Sequence, residues 1–203
     1  MHSGRYDNLA ANIRHAAQTF QRTLDAEGIP LQIMSAAEVR LDHEILSWVA
    51  EEHIPYLGHW QGQRVMLLEF PHSHVPVGAD KLVAWLLKHQ IRPMIAHPER
   101  NKDILRSVDK LAPFIQLGCL LQVTAGAVAG TFGEYARVRA ADLLAKGWVT
   151  VLASDAHNLE ARPPELEPGR AAAALIVGEE ESWRLVRDRP AAIIGADLMA
   201  KGS

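Results

Sequence analysis

The sequence predicts an α/β protein in which helices cover a parallel sheet that is either open or closed into a barrel. Short apolar runs alternate about five times with segments of helical periodicity, and the connections between them are short. The apolar runs are continuous, as in strands that are buried on both faces. No repeat or linker interrupts this order, so we expect one domain over residues 1–203.

The helical segments begin and end at residues that commonly bound helices. Asp7 and Asn8 are N-cap candidates for the first helix, and Gly28 ends it. Gly118 and Gly147 close two later helices in the same way. The segments predicted after the first helix cover residues 43–53, 78–90, 101–118, 133–147, 165–178 and 178–195.

Five strands are predicted between these helices, over residues 31–39, 64–71, 92–99, 119–126 and 148–157. Pro71 and Pro98 stop the second and third strands, because proline has no backbone N–H to donate to a sheet. Parallel α/β folds bind their ligands at the carboxyl ends of such strands. The residues at those ends are therefore the first candidates for function.

Polar side chains collect at the predicted strand ends. Four of the five strands end in a carboxylate or an imidazole: Glu38, Glu69, His97, Asp155 and His157. The fourth strand ends with the weaker candidates Gln122 and Thr124. Carboxylates and imidazoles bind Zn²⁺, Mn²⁺ or Fe, and so many candidates allow more than one ion. Such ions can generate a nucleophile from water at neutral pH.

Two arginines follow these strand ends and are candidates for binding an anion. Arg100 lies just beyond His97, and Arg162 lies just beyond His157. A guanidinium group matches the geometry of a phosphate, so this pair would clamp a phosphoryl group beside the metal. Taken one at a time, each candidate has an ordinary structural reading, such as a solvated surface charge or a turn cap. Their shared position at one end of the sheet favours the functional reading.

A second pair of histidines has the spacing of metal ligands on a strand but a different setting. His72 and His74 lie between Pro71 and Pro76, so the sequence predicts a loop there. We expect neither to be a metal ligand.

The composition narrows the function classes. The net charge of −3 argues against a nucleic-acid protein that depends on a strong positive field. The single cysteine, Cys119, lies in an apolar run and has no partner for an intramolecular disulfide, which favours a reducing compartment. The N-terminus lacks the apolar core of an export signal, and the uncharged stretch 111–132 contains proline, glycine and glutamine. We expect a soluble cytoplasmic protein with no membrane insertion.

With these residues in place, the chain resembles the bacterial protein-tyrosine phosphatases of the PHP (polymerase and histidinol phosphatase) superfamily, of the capsular and exopolysaccharide type. The matching segments follow the family order and span most of the chain: GRYDN (4–8), EGIPLQIMSAAEVR (27–40), LLEFPHSHVP (67–76), IRPMIAHPERN (91–101), QVTAGAVAGTFG (122–133) and ASDAHNLEARPP (153–164).

The resemblance implies a PHP-type distorted (β/α) barrel, similar to a TIM barrel, with a cluster of divalent metal ions. Manganese is the first choice of metal, and iron or zinc are the others. By position, the residues that match the metal ligands of the family are Glu38, Glu69, His97, Asp155 and His157. Arg100 and Arg162 match its phosphate-contacting arginines. The implied reaction is the hydrolysis of phosphotyrosine on a bacterial tyrosine kinase that controls capsular or exopolysaccharide synthesis.

The chain differs from this family pattern at its N-terminus. Family members begin with a strand that carries His-x-His and continue to a second strand that ends in Thr-Pro-His, whereas this chain opens with MHSGRYDN. We therefore expect a domain that lacks its first strands relative to the family, with fewer histidine ligands.

Two other functions stay open at this point. The chain is either a truncated, non-catalytic relative that binds a partner, or a phosphoesterase that acts on a small phosphate ester. An oligomer is compatible with each reading.

Overall fold

A computed structural model describes residue 1 and residues 10–195 of the chain. The predicted N-cap at Asp7 and Asn8 lies outside these residues. The helices and strands follow in this order: α1 (Ala10–Ala26), β1 (Glu38–Arg40), α2 (Ile45–Ala50), β2 (Gly58–Trp60), β3 (Gln63–Glu69), α3 (Ala79–Lys88), β4 (Ile91–Ala96), α4 (Lys102–Arg106), α5 (Ala112–Gln116), β5 (Leu120–Thr124), α6 (Ala125–Ala129), α7 (Glu134–Ala145), β6 (Val151–Ala153), α8 (Glu167–Val177), α9 (Glu179–Trp183) and α10 (Arg189–Ile194).

The strands form one sheet, and five of them run parallel in the order β1-β3-β4-β5-β6. The sixth strand, β2, pairs antiparallel with the first half of β3. Across residues 1 and 10–195 no pairing joins β1 to β6, so backbone hydrogen bonds do not close the sheet there. The predicted α/β class with a parallel, helix-covered sheet is confirmed.

The two faces of the sheet pack against different parts of the chain. One face, which we call the inner face, carries a small apolar cluster that includes Ile193 of α10. Its strand residues are Val65, Met94, Leu120 and Val151. The opposite face forms the larger core with the surrounding helices. Because side chains alternate along a strand, Glu69 lies on the same face as Val65. The polar residue at the end of β3 therefore lies on the same face as the apolar cluster, toward the carboxyl end of the strand.

The first strand is shorter than predicted, and two residues of the predicted stretch bond to a helix instead of a strand. The side chain of Gln21 in α1 donates to the carbonyl oxygen of Leu31 at 3.0 Å and accepts from the backbone N–H of Ile33 at 2.7 Å. These bonds satisfy the backbone without a sheet neighbour. Only residues 38–40 join the sheet, and the fifth predicted strand likewise contracts to β6.

The predicted helix over residues 101–118 is wrong as a single helix. Ser107 is extended, with φ −148° and ψ 116°, and it separates α4 from a short 3₁₀ turn at residues 108–111. Pro113 lies in the first turn of α5, where a backbone N–H would have no acceptor within the helix, so the missing N–H of proline is tolerated. Three short pieces therefore replace one long helix.

Sequence reasoning missed β2 and α6. The β2–β3 hairpin turns at Gln61 and Gly62, which both have positive φ, 50° and 82°. Two central residues with positive φ define a type I′ turn, and Gln-Gly directly after Trp60 was the available signal. The five-residue α6 follows β5 directly and has too little sequence to show helical periodicity.

Candidate active site

The parallel register brings Glu38 and Glu69 to the same end of the sheet. Glu38 is the first residue of β1 instead of the last residue of a long strand. However, β1 pairs with the last three residues of β3, so Glu38 lies opposite Leu67 and Arg40 lies opposite Glu69. His97 follows the end of β4, the next strand along.

These three residues form a group that fits a divalent metal ion, and we call it the carboxylate–histidine group. Glu38, Glu69 and His97 each offer one ligand atom, and these atoms lie within 4.8 Å of one another. The Nε2 atom of His97 is 3.4 Å from the Oε1 atom of Glu38, and the His97 side chain is only 7 % exposed. Two carboxylates and an imidazole are a donor set suited to a catalytic ion, which keeps positions open for water or substrate.

The backbone around His97 is held in an uncommon conformation. His97 has φ 33°, in the left-handed region that non-glycine residues rarely adopt. Its backbone N–H donates to the Oε1 atom of Gln122 at 3.3 Å, and Oε1 of the fully buried Glu99 accepts from the backbone N–H of Thr124 at 3.0 Å. Both bonds tie the turn 97–100 to the end of β5. The position of Arg100 in this turn is therefore fixed together with that of His97.

A second cluster beside this group contains both predicted arginines, and we call it the arginine group: Arg100, Phe132, Asp155 and Arg162. The Oδ2 atom of Asp155 accepts from Arg100 at 2.6 Å and also from Arg162. The ring of Phe132 lies under both guanidinium groups, 4.9 Å from that of Arg100 and 5.8 Å from that of Arg162. Two guanidinium groups thus share one carboxylate, which leaves an excess of positive charge.

The arginine group also carries buried donors without an acceptor. The Nε atoms of Arg100 and Arg162 are buried and make no hydrogen bond within the part of the chain that the structure describes. The Nε2 atom of Gln122, in β5, is likewise buried and makes no hydrogen bond within the described residues. Buried donors of this kind are costly unless a ligand or water satisfies them. Asp155 itself has φ 52°, so a second strand end in the site is strained.

Electrostatic interactions connect the two groups. Burial alone would raise the pKa of Glu38, but the hydrogen bond from His97 and the positive charges of His97 and Arg100 lower it. Glu38 is therefore held as a carboxylate, the form that binds a metal. On the other carboxylate, the Oε2 atom of Glu69 lies 3.6 Å from NH1 of Arg40.

The structure divides the predicted site residues between the two groups. Glu38, Glu69 and His97 come together as predicted ligands, and Arg100 and Arg162 come together as predicted anion binders. Asp155 pairs with the arginines, and His157 is 55 % exposed with its Nδ1 atom 2.9 Å from the backbone oxygen of Asp155. A metal-binding role for Asp155 and His157 stays a prediction.

Two residues at the site were not predicted. Phe132 carries no chemical signal in the sequence, because a phenylalanine between Thr131 and Gly133 resembles any loop aromatic. His72 lies in the predicted loop, and its ring stands edge-on to that of His97 with the ring centres 6.2 Å apart. Partial burial, together with the charges of Arg100 and His97, lowers the pKa of His72, which favours its neutral form.

Comparison with known proteins finds one matching family and several similar proteins. The family described as capsular polysaccharide synthesis, CpsB/CapC, matches residues 1–195. The tyrosine-protein phosphatase YwqE of Bacillus subtilis is 33 % identical over 160 residues, covering 79 % of this chain and 62 % of that protein. The putative tyrosine-protein phosphatase CapC of Staphylococcus aureus is 28 % identical over 159 residues, covering 78 % and 61 %. The chain thus spans less than two thirds of the length of either of these relatives.

A solved structure is also similar across almost the whole chain. It belongs to a crystallographic description of YwqE from Bacillus subtilis and CpsB from Streptococcus pneumoniae as unique metal-dependent tyrosine phosphatases. The TM-score is 0.87 at 28 % sequence identity, over 96 % of this chain and 77 % of that one. Within the described residues, no helix has both the length and the apolar character that a membrane span requires.

Proposed function

Because this chain belongs to the CpsB/CapC capsular polysaccharide synthesis family, we propose that it is a metal-dependent phosphatase that hydrolyses phosphotyrosine in a protein. The observation that carries the proposal is the proximity of two kinds of chemistry at one end of the sheet. The carboxylate–histidine group suits a divalent ion, and the adjacent arginine group suits a phosphate dianion. Arg100 belongs to the second group and acts electrostatically on Glu38 of the first.

The residues of the site have distinct tasks in this reaction. Glu38, Glu69 and His97 hold the ion, with manganese as the proposed metal and iron or zinc as the alternatives. A bound divalent ion supplies Lewis acidity, which polarises the phosphoryl group and lowers the pKa of water. Arg100 and Arg162 orient the phosphoryl group and neutralise the charge on its oxygens. These tasks require both groups to be intact at once.

The remaining polar residues position these side chains. Asp155 bonds to both guanidinium groups and so sets the distance between them. Phe132 supports the same two groups from below. Arg40 holds the carboxylate of Glu69 in the same way. Preorganised charges of this kind stabilise a transition state without reorganising during the reaction.

The proposed substrate is a tyrosine kinase that controls capsular or exopolysaccharide synthesis. Membership of a capsule-synthesis family and relatives named as tyrosine-protein phosphatases support this choice. The corresponding location is the cytoplasm, where such a kinase would carry its phosphotyrosines. We propose that residues 1–203 act as a single domain and need no nucleic acid.

A phosphatase assay with metal removal tests the proposal. We expect the purified chain to release phosphate from a phosphotyrosine peptide when manganese is added, and to stop when a chelator is added. We expect His97→Ala to lose both activity and bound metal, because His97 is a predicted ligand. The exposed His59 in β2 provides the control, and His59→Ala should retain both. Activity that survives the chelator, or His97→Ala at the full rate, contradicts the proposal.

Two further measurements separate the alternatives. Fewer than one tightly bound ion per chain, measured by elemental analysis, favours a non-catalytic partner-binding protein. A higher kcat/KM for a small ester such as histidinol phosphate than for a phosphotyrosine peptide favours a small-molecule phosphoesterase.

A further inference from the structure

A small pocket adjoins Arg162 and the loop that follows β6. Its volume is about 220 Å³, and its walls include Ala129, Phe132, Ala161, Pro163 and Pro168. Ligand pockets for whole drug-sized molecules are generally larger, about 300–1,000 Å³, so this one matches a single side chain or ring. None of the predicted metal ligands lines it.

We propose that this pocket receives the aryl ring of the substrate while the arginine group holds its phosphate, an inference that rests on the proposed phosphatase function. Phe132 and Arg162 belong to both the pocket wall and the arginine group. A ligand bound at the arginines would therefore meet the apolar wall within the same site. An uncharged aromatic ring is the part of a phosphotyrosine that such a wall favours, by edge-to-face or offset contact with Phe132.

The charges around the pocket fix which end of the substrate enters it. Glu160 and Glu165 line the pocket, and no ion pair joins either to another described residue. Their carboxylates repel a phosphate dianion, whereas the arginine group next to them attracts one. The phosphate therefore stays with Arg100 and Arg162, and the uncharged ring turns toward the pocket.

The pocket is preformed by close packing behind Phe132. A Cβ atom added to Gly126 would lie 2.5 Å from Oγ1 of Thr131 and 3.0 Å from the ring of Phe132. The Oγ1 atom of Thr131 donates to the backbone oxygen of Gly126 at 2.9 Å, which fixes the turn before Phe132. The ring therefore sits against α6 before a ligand arrives, and binding needs no rearrangement of this wall.

Binding of two phosphonates tests the pocket independently of hydrolysis. Phenylphosphonate and methylphosphonate carry the same charged group, and only the first carries a ring. By titration calorimetry on the whole chain, we expect the phenyl compound to bind at least about tenfold more tightly. Ala129→Leu fills the pocket from an exposed position and should remove most of that difference. Ala171→Leu, on an exposed face of α8 outside the pocket, should leave it unchanged.

The outcomes are distinct from those of the phosphatase assay. Equal affinity for the two phosphonates, binding of neither, or an unchanged difference in Ala129→Leu would each overturn the pocket assignment. If Ala129→Leu does not fold, Ala161→Leu fills the pocket from the loop and gives the same comparison. A chain that prefers the phenyl compound but hydrolyses no ester loses the proposed function and keeps the pocket. A chain that hydrolyses aryl and alkyl phosphates equally keeps the function and loses the pocket.

Discussion

Replacing Arg100 with lysine separates the geometry of the phosphate clamp from its charge. Lysine keeps one positive charge but cannot present two parallel donors or stack on an aromatic ring as guanidinium does. Arg100→Lys therefore removes the planar guanidinium group that now bonds to Asp155 at 2.6 Å and lies 4.9 Å from the ring of Phe132. Asp155 keeps its bond from Arg162, so no carboxylate is left unpaired.

The expected magnitude follows from the bonds that the phosphoryl group would lose. A hydrogen bond to a charged group contributes about 1.5–3 kcal/mol. At about 1.4 kcal/mol for each factor of ten, kcat/KM should fall about 10- to 150-fold. Metal content should not change, because Arg100 is not in the carboxylate–histidine group.

The assay compares kcat/KM for a phosphotyrosine peptide with bound metal measured on the same samples. Arg139→Lys is the matched control, since Arg139 is also largely buried and paired with an acid, Asp142, but lies on α7. We expect the control to retain kcat/KM within about twofold, as for a residue that makes no contact with substrate. Full kcat/KM in Arg100→Lys would refute the clamp, and an equal loss in Arg139→Lys would assign the effect to stability.

Three other predictions follow from single contacts. Gly169→Ala would place a Cβ atom 2.6 Å from the backbone carbon of Ala125. The free energy of unfolding should therefore fall by about 1–3 kcal/mol, and Tm should fall by roughly 3–10 °C. An unchanged melting curve contradicts this packing of α8 on α6. Glu69→Gln removes one ligand charge and should weaken manganese binding about tenfold or more, measured by titration; unchanged affinity excludes Glu69 as a ligand. Burial raises the pKa of Cys119 to about 12, so a thiol reagent at pH 8 should label it only after denaturant unfolds the chain; rapid labelling of the native protein contradicts its burial.

Much of the fold was predictable because strand burial leaves a continuous apolar pattern. The runs that become β3, β4 and β5 are buried on both faces, and each was located within a few residues. Residues 31–37 were misassigned, because their bonds come from distant parts of the chain that no local pattern records. Gln21 in α1 bonds to Leu31 and Ile33, and the backbone N–H of Ala37 donates to Pro55. Ser107 interrupts a predicted helix with its extended backbone.

The candidate site was predictable as a set of residues but not as an arrangement. Glu69 and His97 stood out because parallel strands place their carboxyl ends together. The pairing of Asp155 with both arginines depends on two guanidinium groups that reach the same oxygen atom, and sequence spacing does not encode that contact. Phe132 could not be found at all, because its role depends on what lies above its ring.

The packing of α10 has a consequence for how this protein folds during its synthesis. Ile193 completes the inner apolar cluster, and Gly58 lies so close to the Ile193 backbone that a side chain would not fit between β2 and α10. Synthesis proceeds from the N-terminus, so every strand leaves the ribosome before the helix that covers their inner face. The small apolar cluster beside the proposed site stays open to water until α10 has emerged. Folding around the site is therefore tied to α10, far in sequence from the residues proposed to bind metal and phosphate.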